Sequence, residues 1–192
     1  MGRMKRPKKK TAETDLISRN EFIYLLQNIQ SYNPLRDRAM ICMLYVTGCR
    51  VSELVQQVKK YDLDIQEIRG TKFLIINNVW CLKRKAPIKR NIPICIEKEQ
   101  EFMKYIYDYV VDLDPGDILF PISRQHAYNI VRKFKDEAFP HYFRHLRLTN
   151  LAKDYGFNSA ELRQYTGWTD DKPASHYVHL NWKDTAKKML LR

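Results

Sequence analysis

The chain has 192 residues, 44% of them hydrophobic, and 34 Lys and Arg against 22 Asp and Glu give a formal charge of +12. That length suits one sizeable domain with tails, and that charge asks for a polyanionic partner, nucleic acid ahead of a membrane surface. The longest apolar run, AMICMLYV, is far below the roughly 20 residues of a bilayer span, and the basic N-terminus runs into TAETD rather than an apolar segment, so a soluble, cytoplasmic protein is expected.

Residues 1–14 read as a basic flexible tail. MGRMKRPKKK holds six Lys or Arg and no acid, which suits either a solubilising segment or an arm that neutralises phosphates. The ordered part is expected to begin near Asp15. SRNEFIYLLQNI carries Ser18 with Glu21 three residues on, a helix-start pattern, and Phe22, Leu25, Leu26 and Ile29 share one helix face. A second helix is predicted through LRDRAMICMLYVT, stopped by Gly48, and a third over RVSELVQQV. KFLIINNVWCL and NIPICI then read as strands joined by the basic segment KRKAPIKR, a hairpin within a small antiparallel sheet.

Helices resume with EKEQEFMKYIYDYVVDL, ended by PGD. SRQHAYNIVRKFKDEA follows with Ser123 as N-cap, then HYFRHLRLTNLAKDYG stopped by Gly156, then NSAELRQYTG. NWKDTAKKMLLR reads as a terminal amphipathic helix, with 181–192 able to dock in cis or in trans. The expected fold class is mixed, mainly α with a small antiparallel β-sheet. Cys42, Cys49, Cys81 and Cys95 form no C-x-x-C pair, which argues against zinc, and Cys42 and Cys95 read as core thiols.

Three stretches hold candidate chemistry. In TGCRVSEL, Arg50 follows a glycine break at a helix start, and Glu53 one turn on can hold its guanidinium. Alone this is equally a plain surface ion pair. In HYFRHLRLTNLA, His141 and Arg144 share a helix face with His145 close to it, a pairing that can grip a phosphate oxygen and manage a proton. A metal at His141 and His145 lacks a third ligand nearby in sequence. In TGWTDDKPASHYVHL, Trp168 follows Gly167 and Tyr177 lies nine residues later.

The order and spacing of these pieces, T-G-x-R-x-S-E-L, H-x-x-R-H, G-W and then tyrosine, resemble the tyrosine recombinase/integrase family over roughly residues 15–185, with 15–180 as the catalytic domain. The YVHL ending is similar to integrases of archaea and their viruses. The resemblance implies the tyrosine-recombinase catalytic-domain fold and a site-specific DNA recombinase or integrase working through a 3′-phosphotyrosyl intermediate. It implies Tyr177 as nucleophile, Arg50 and Arg144 as phosphate clamps, and His141 as proton-transfer and orienting group. Trp168 would buttress the site. A hairpin lysine would be general acid for the leaving 5′ oxygen: KAPIKRNIP aligned with the family pattern selects Lys85, with Lys83 the alternative. Lys83, Arg84, Lys89 and Arg90 are expected on backbone phosphates, and Asp62 matches a structural acid of the family.

The resemblance also implies double-stranded DNA as partner, self-association as a tetramer on DNA, and no metal, ATP or other cofactor. The physical logic is consistent. A phenol with a pKa near 10 is a poor nucleophile at neutral pH, and two guanidiniums on the phosphate favour its attack. Type IB topoisomerase chemistry and a non-catalytic DNA-binding module are the competing readings. Typical family members carry a further N-terminal domain that closes over DNA, where this chain has only its short basic tail. His179 is read as support for the tyrosine segment.

Overall fold

The computed structural model describes residues 16–81, 88–136, 138–170 and 172–178. The tail at 1–14, Lys83, Arg84, Lys85, His179 and the predicted terminal helix lie outside the described residues.

The fold is built around one apolar helix. Helix α2 (Pro34–Thr47) starts at Asn33, whose side chain accepts the Arg36 N–H, and it is buried from Ala39 to Thr47. An all-round apolar surface of this kind has to be covered on several sides. Helix α1 (Arg19–Gln27), α4 (Gln100–Val110), α5 (Arg124–Phe134) and α6 (Pro140–Lys153) supply that cover. Their aromatics meet in one cluster: Phe22 lies 5.0 Å from Tyr45, 5.1 Å from Phe102, 5.1 Å from Phe134 and 5.7 Å from Phe143, ring centre to ring centre. Ser18 and Ser123 cap α1 and α5 as the sequence predicts, accepting the Glu21 and His126 N–H groups.

The sheet has three antiparallel strands in the order β1 (Leu63–Ile68), β2 (Thr71–Cys81), β3 (Ile88–Cys95). A bulge falls between Ile76 and Val79, where Asn78 takes a left-handed φ of 57°. Pro93 is tolerated because β3 is an edge strand among the described residues. One face of β2 and β3 packs on α2, the short helix α3 (Val51–Leu54) and α7 (Ser159–Thr166). Among the described residues no helix is long and apolar enough to cross a membrane.

Two elements depart from the sequence expectation. Helix α3 has four residues rather than nine, because Gln56 turns left-handed at φ 61° and its N–H goes to Phe120 O at 3.1 Å. Strand β1 is not among the sequence expectations: only half of LDIQEI is apolar, none of its residues is buried, and it exists by pairing with β2.

Candidate active site

Two glycine stops aim the site. Gly48 ends α2 in a left-handed conformation at φ 60°, and the chain reverses through Cys49 into Arg50, the extended residue before α3. Gly167 ends α7 at φ 70° and delivers Trp168. A side chain at Gly167 is excluded twice: by that φ, and because a Cβ would sit 2.5 Å from Cys81 Sγ.

Glu53 is the hub beneath the site and is fully buried. Its Oε1 accepts Arg50 Nη1 at 2.6 Å, and its Oε2 accepts the Arg50 backbone N–H at 3.1 Å and Arg90 Nη2 at 3.1 Å. Arg144 Nη1 lies 4.0 Å from the same Oε2. Burial pushes the Glu53 carboxyl up, but Arg90, the Arg50 N–H and Arg144 outweigh it and hold it below the usual carboxylate value. The expected Arg50–Glu53 pairing is therefore present. The free helix start is not: Glu53 caps it, and a four-residue helix has little dipole to offer.

Arg144 is 1% exposed and is steered mainly by carbonyls. Its Nη1 donates to Gly48 O at 2.7 Å, its Nη2 reaches Thr166 O at 3.5 Å, and its guanidinium lies 5.3 Å from the Trp168 ring centre. Burial first, and then the Arg50 charge, lower its pKa to about 10. The guanidinium stays charged at neutral pH, and a bound anion at this point would favour that form further.

Tyr177 follows a 3-10 turn at Ala174–His176 and is half-buried. Its ring stacks on Trp168, centres 6.1 Å apart and planes 19° from parallel. Its hydroxyl lies 2.5 Å from His145 Nδ1. Burial raises the Tyr177 pKa to about 12, with Arg144 pulling the other way. Burial, and then Arg144, lower that of His145 below its ordinary value, so the imidazole is neutral near pH 7 and able to accept the phenol proton. His141, one turn earlier and exposed, meets the His145 ring edge to face at 5.2 Å. It lines a cleft of about 550 Å³ with Arg50, Ser52, Arg124, Gln125 and Tyr128.

The structure thus brings together Arg50, Arg144, Trp168 and Tyr177, with His141 at the rim. It adds His145, which the sequence reading set beside the site without a role. Lys85 and Lys83, the candidate general acids, and Arg84 lie outside the described residues. Lys89 is exposed, with its ammonium 4.8 Å from the Trp80 ring centre. Arg90 is a correction. It was expected on DNA phosphates, but it is 8% exposed and bonds Glu53 and Cys81 Sγ, the latter at 2.7 Å. The signal was available: Arg90, Ile92 and Ile94 share the inward face of β3, while Lys89, Asn91 and Pro93 point out. Among the described residues no group of three His, Cys, Asp or Glu is placed to hold a metal ion.

Comparison with known proteins identifies the family and the fold. The chain is 28% identical to a tyrosine recombinase XerD of Staphylococcus saprophyticus over 91% of its length, and spans 61% of that relative. Its fold is similar to the Tn1549 transposon integrase, solved in complex with circular intermediate DNA (TM-score 0.61, 19% identity, 98% of this chain and 67% of that one). It is also similar to the catalytic domain of bacteriophage HP1 integrase (TM-score 0.55, 17% identity, 90% of this chain and 93% of that one). With the phage integrase family matching residues 16–184, a span that includes every described residue, this protein belongs to the phage integrase family.

Proposed function

We propose that this chain is the catalytic domain of a site-specific DNA recombinase or integrase, with Tyr177 as its nucleophile. The observation that carries the reading is the Tyr177 hydroxyl held 2.5 Å from a neutral imidazole, beside the buried guanidinium of Arg144. The Tyr177 oxygen attacks the scissile phosphorus, the P–O5′ bond breaks, and a 3′-phosphotyrosyl link forms. The phenol proton passes to His145, and the leaving 5′ oxygen takes a proton from Lys85, or from Lys83. Rejoining is the reverse, with the 5′-hydroxyl displacing the tyrosine, so the phosphodiester energy is retained and no ATP enters. Arg50 and Arg144 take the non-bridging oxygens, where charge grows as the phosphorus becomes five-coordinate, and His141 orients the phosphate from the rim.

The reading includes duplex DNA as partner, with Lys89, Lys83 and Arg84 on its backbone, and assembly as a tetramer on paired sites in the compartment that holds the DNA. It takes residues 15–180 as the catalytic unit, 1–14 as a basic arm and 181–192 as a docking segment. Support comes from the net charge of +12 and from relatives described as recombinases and as DNA-bound integrases. Neither topoisomerase action nor a non-catalytic module is favoured by these relatives. Selection from random duplexes supplies the target site, and a supercoiled plasmid carrying two copies of it tests the reaction class. Exchange of the flanked segment is expected. Relaxation without exchange would instead indicate a topoisomerase, and binding without any strand breakage a non-catalytic module.

A further inference from the structure

Arg90 is a buried charge on the far side of the site from solvent. Its guanidinium reaches Cys81 Sγ at 2.7 Å, Cys49 Sγ at 3.7 Å and Glu53 Oε2 at 3.1 Å. Its Nη1 also lies 3.4 Å from where a Cβ of Gly167 would be. One side chain therefore touches the residue before Arg50, the carboxylate that holds Arg50 and the end of β2, and it closes the space beside Gly167, the residue before Trp168. Thiols are weak acceptors, and the Arg90 Nε has no hydrogen-bond partner among the described residues. Removing Arg90 takes one partner from the fully buried Glu53, but Arg50 stays bonded to that carboxylate, so part of the charge compensation survives. The arrangement of charges around Glu53 points to a role beyond stability.

Charge and geometry do. Glu53 is one carboxylate among three guanidiniums, those of Arg50, Arg90 and Arg144. Arg50 holds Oε1, and Arg90 holds Oε2 together with the Arg50 backbone N–H. Arg144 is left 4.0 Å away, bonded to the carbonyl of Gly48. Without Arg90, the Oε2 atom would be the nearest anion for Arg144, and a pair formed there would compete with a phosphate for the same guanidinium. The positive surplus of the site would also drop by one.

We propose that Arg90 is a positioning residue for strand cleavage: by occupying Glu53 from below, it keeps Arg144 and the outer edge of Arg50 directed at the scissile phosphate. The inference rests on the recombinase reading above. It predicts a defect tied to the negative charge of the phosphate, which a purely structural role would not produce.

The test uses the full chain and a nicked duplex of the target site that traps the covalent product, made with an ordinary scissile phosphodiester or with a neutral methylphosphonate in its place. Wild type and Tyr177→Phe serve as controls. Arg90→Met is expected to bind DNA within a few-fold of wild type and to cleave the phosphodiester at least about 100-fold more slowly. On the methylphosphonate its deficit relative to wild type is expected to shrink to less than about tenfold, because the oxygen charge that the arginines serve has been removed. Arg90→Lys, which keeps the charge but cannot bridge Glu53 and Cys81 together, is expected between the two with the same substrate dependence. Equal deficits on both substrates, or a wild-type rate on the phosphodiester, would overturn the proposal. So would a failure of both variants to fold, which would assign Arg90 to stability. If the wild type forms no adduct at all, it is the recombinase reading that fails.

Discussion

Arg144 and Arg147 stand one turn apart on α6, and each is 1% exposed, yet their surroundings differ. Arg147 has its own carboxylate. It pairs with Glu99, which also accepts the Tyr155 hydroxyl at 2.8 Å and lies 3.2 Å from Arg19 Nη1. Burial works against the Arg147 charge, but Tyr165 and Glu99 outweigh it and hold its pKa above the ordinary arginine value. Arg144 has carbonyls for close partners and shares the distant Glu53 with two other arginines, and its pKa falls to about 10. A buried cation bonded directly to a buried carboxylate serves the fold. One whose charge is met only in part is set up for an anion from outside.

The sharpest way to break that contrast is to remove each guanidinium in turn. Arg144→Met should lower the single-turnover cleavage rate by about 100- to 1,000-fold while the thermal midpoint holds or rises, since an apolar side chain replaces a poorly compensated charge. Arg147→Met should do the opposite. It leaves Glu99 buried without its main partner and should lose about 3–5 kcal/mol in denaturant unfolding, with cleavage by the remaining folded protein largely intact. If both variants lost activity and stability together, the two arginines would not be distinct in kind.

Next in size is His145→Gln, expected to slow cleavage by about 100-fold or more through loss of the proton acceptor. The pH profile supplies the sign. The His145 pKa lies below its ordinary 6.5, so the ring is neutral at pH 7 and acquires a proton only as pH falls below that value. Wild-type cleavage should therefore decline on an acid limb below pH 6.5, and that limb should be absent in His145→Gln. A limb unchanged in His145→Gln but removed in His141→Gln would return the proton-transfer role to His141. The smallest effect is expected for Trp168→Phe. It keeps a ring against Tyr177 but gives up part of the stack, about 0.5–1.5 kcal/mol, and cleavage should slow by roughly tenfold at most.

Local chemistry made much of this legible in the sequence. Ser18 and Ser123 mark helix starts by what their hydroxyls can accept, and Gly48 and Gly167 mark stops because only glycine takes those turns without strain. The same two glycines lead to Arg50 and Trp168, so two of the site residues were visible with the fold that places them. Tertiary facts were harder to see. His141 and His145 lie on one helix face, and what separates them is where the segment carrying Tyr177 comes to rest, 32 positions further on. Strand β1 is defined by its neighbour rather than by its own side chains. Arg90 was readable from the alternation of β3, but its positive charge drew the reading outward.

The central claim is that Tyr177, one of twelve tyrosines, makes the covalent bond to DNA. Trapping the denaturant-stable adduct on a nicked target duplex, digesting it and mapping the modified peptide by mass spectrometry tests it directly. The account predicts a 3′-phosphonucleotide on Tyr177 in the wild type and no adduct from Tyr177→Phe. An adduct mapped to another residue, or one that persists in Tyr177→Phe, would contradict it.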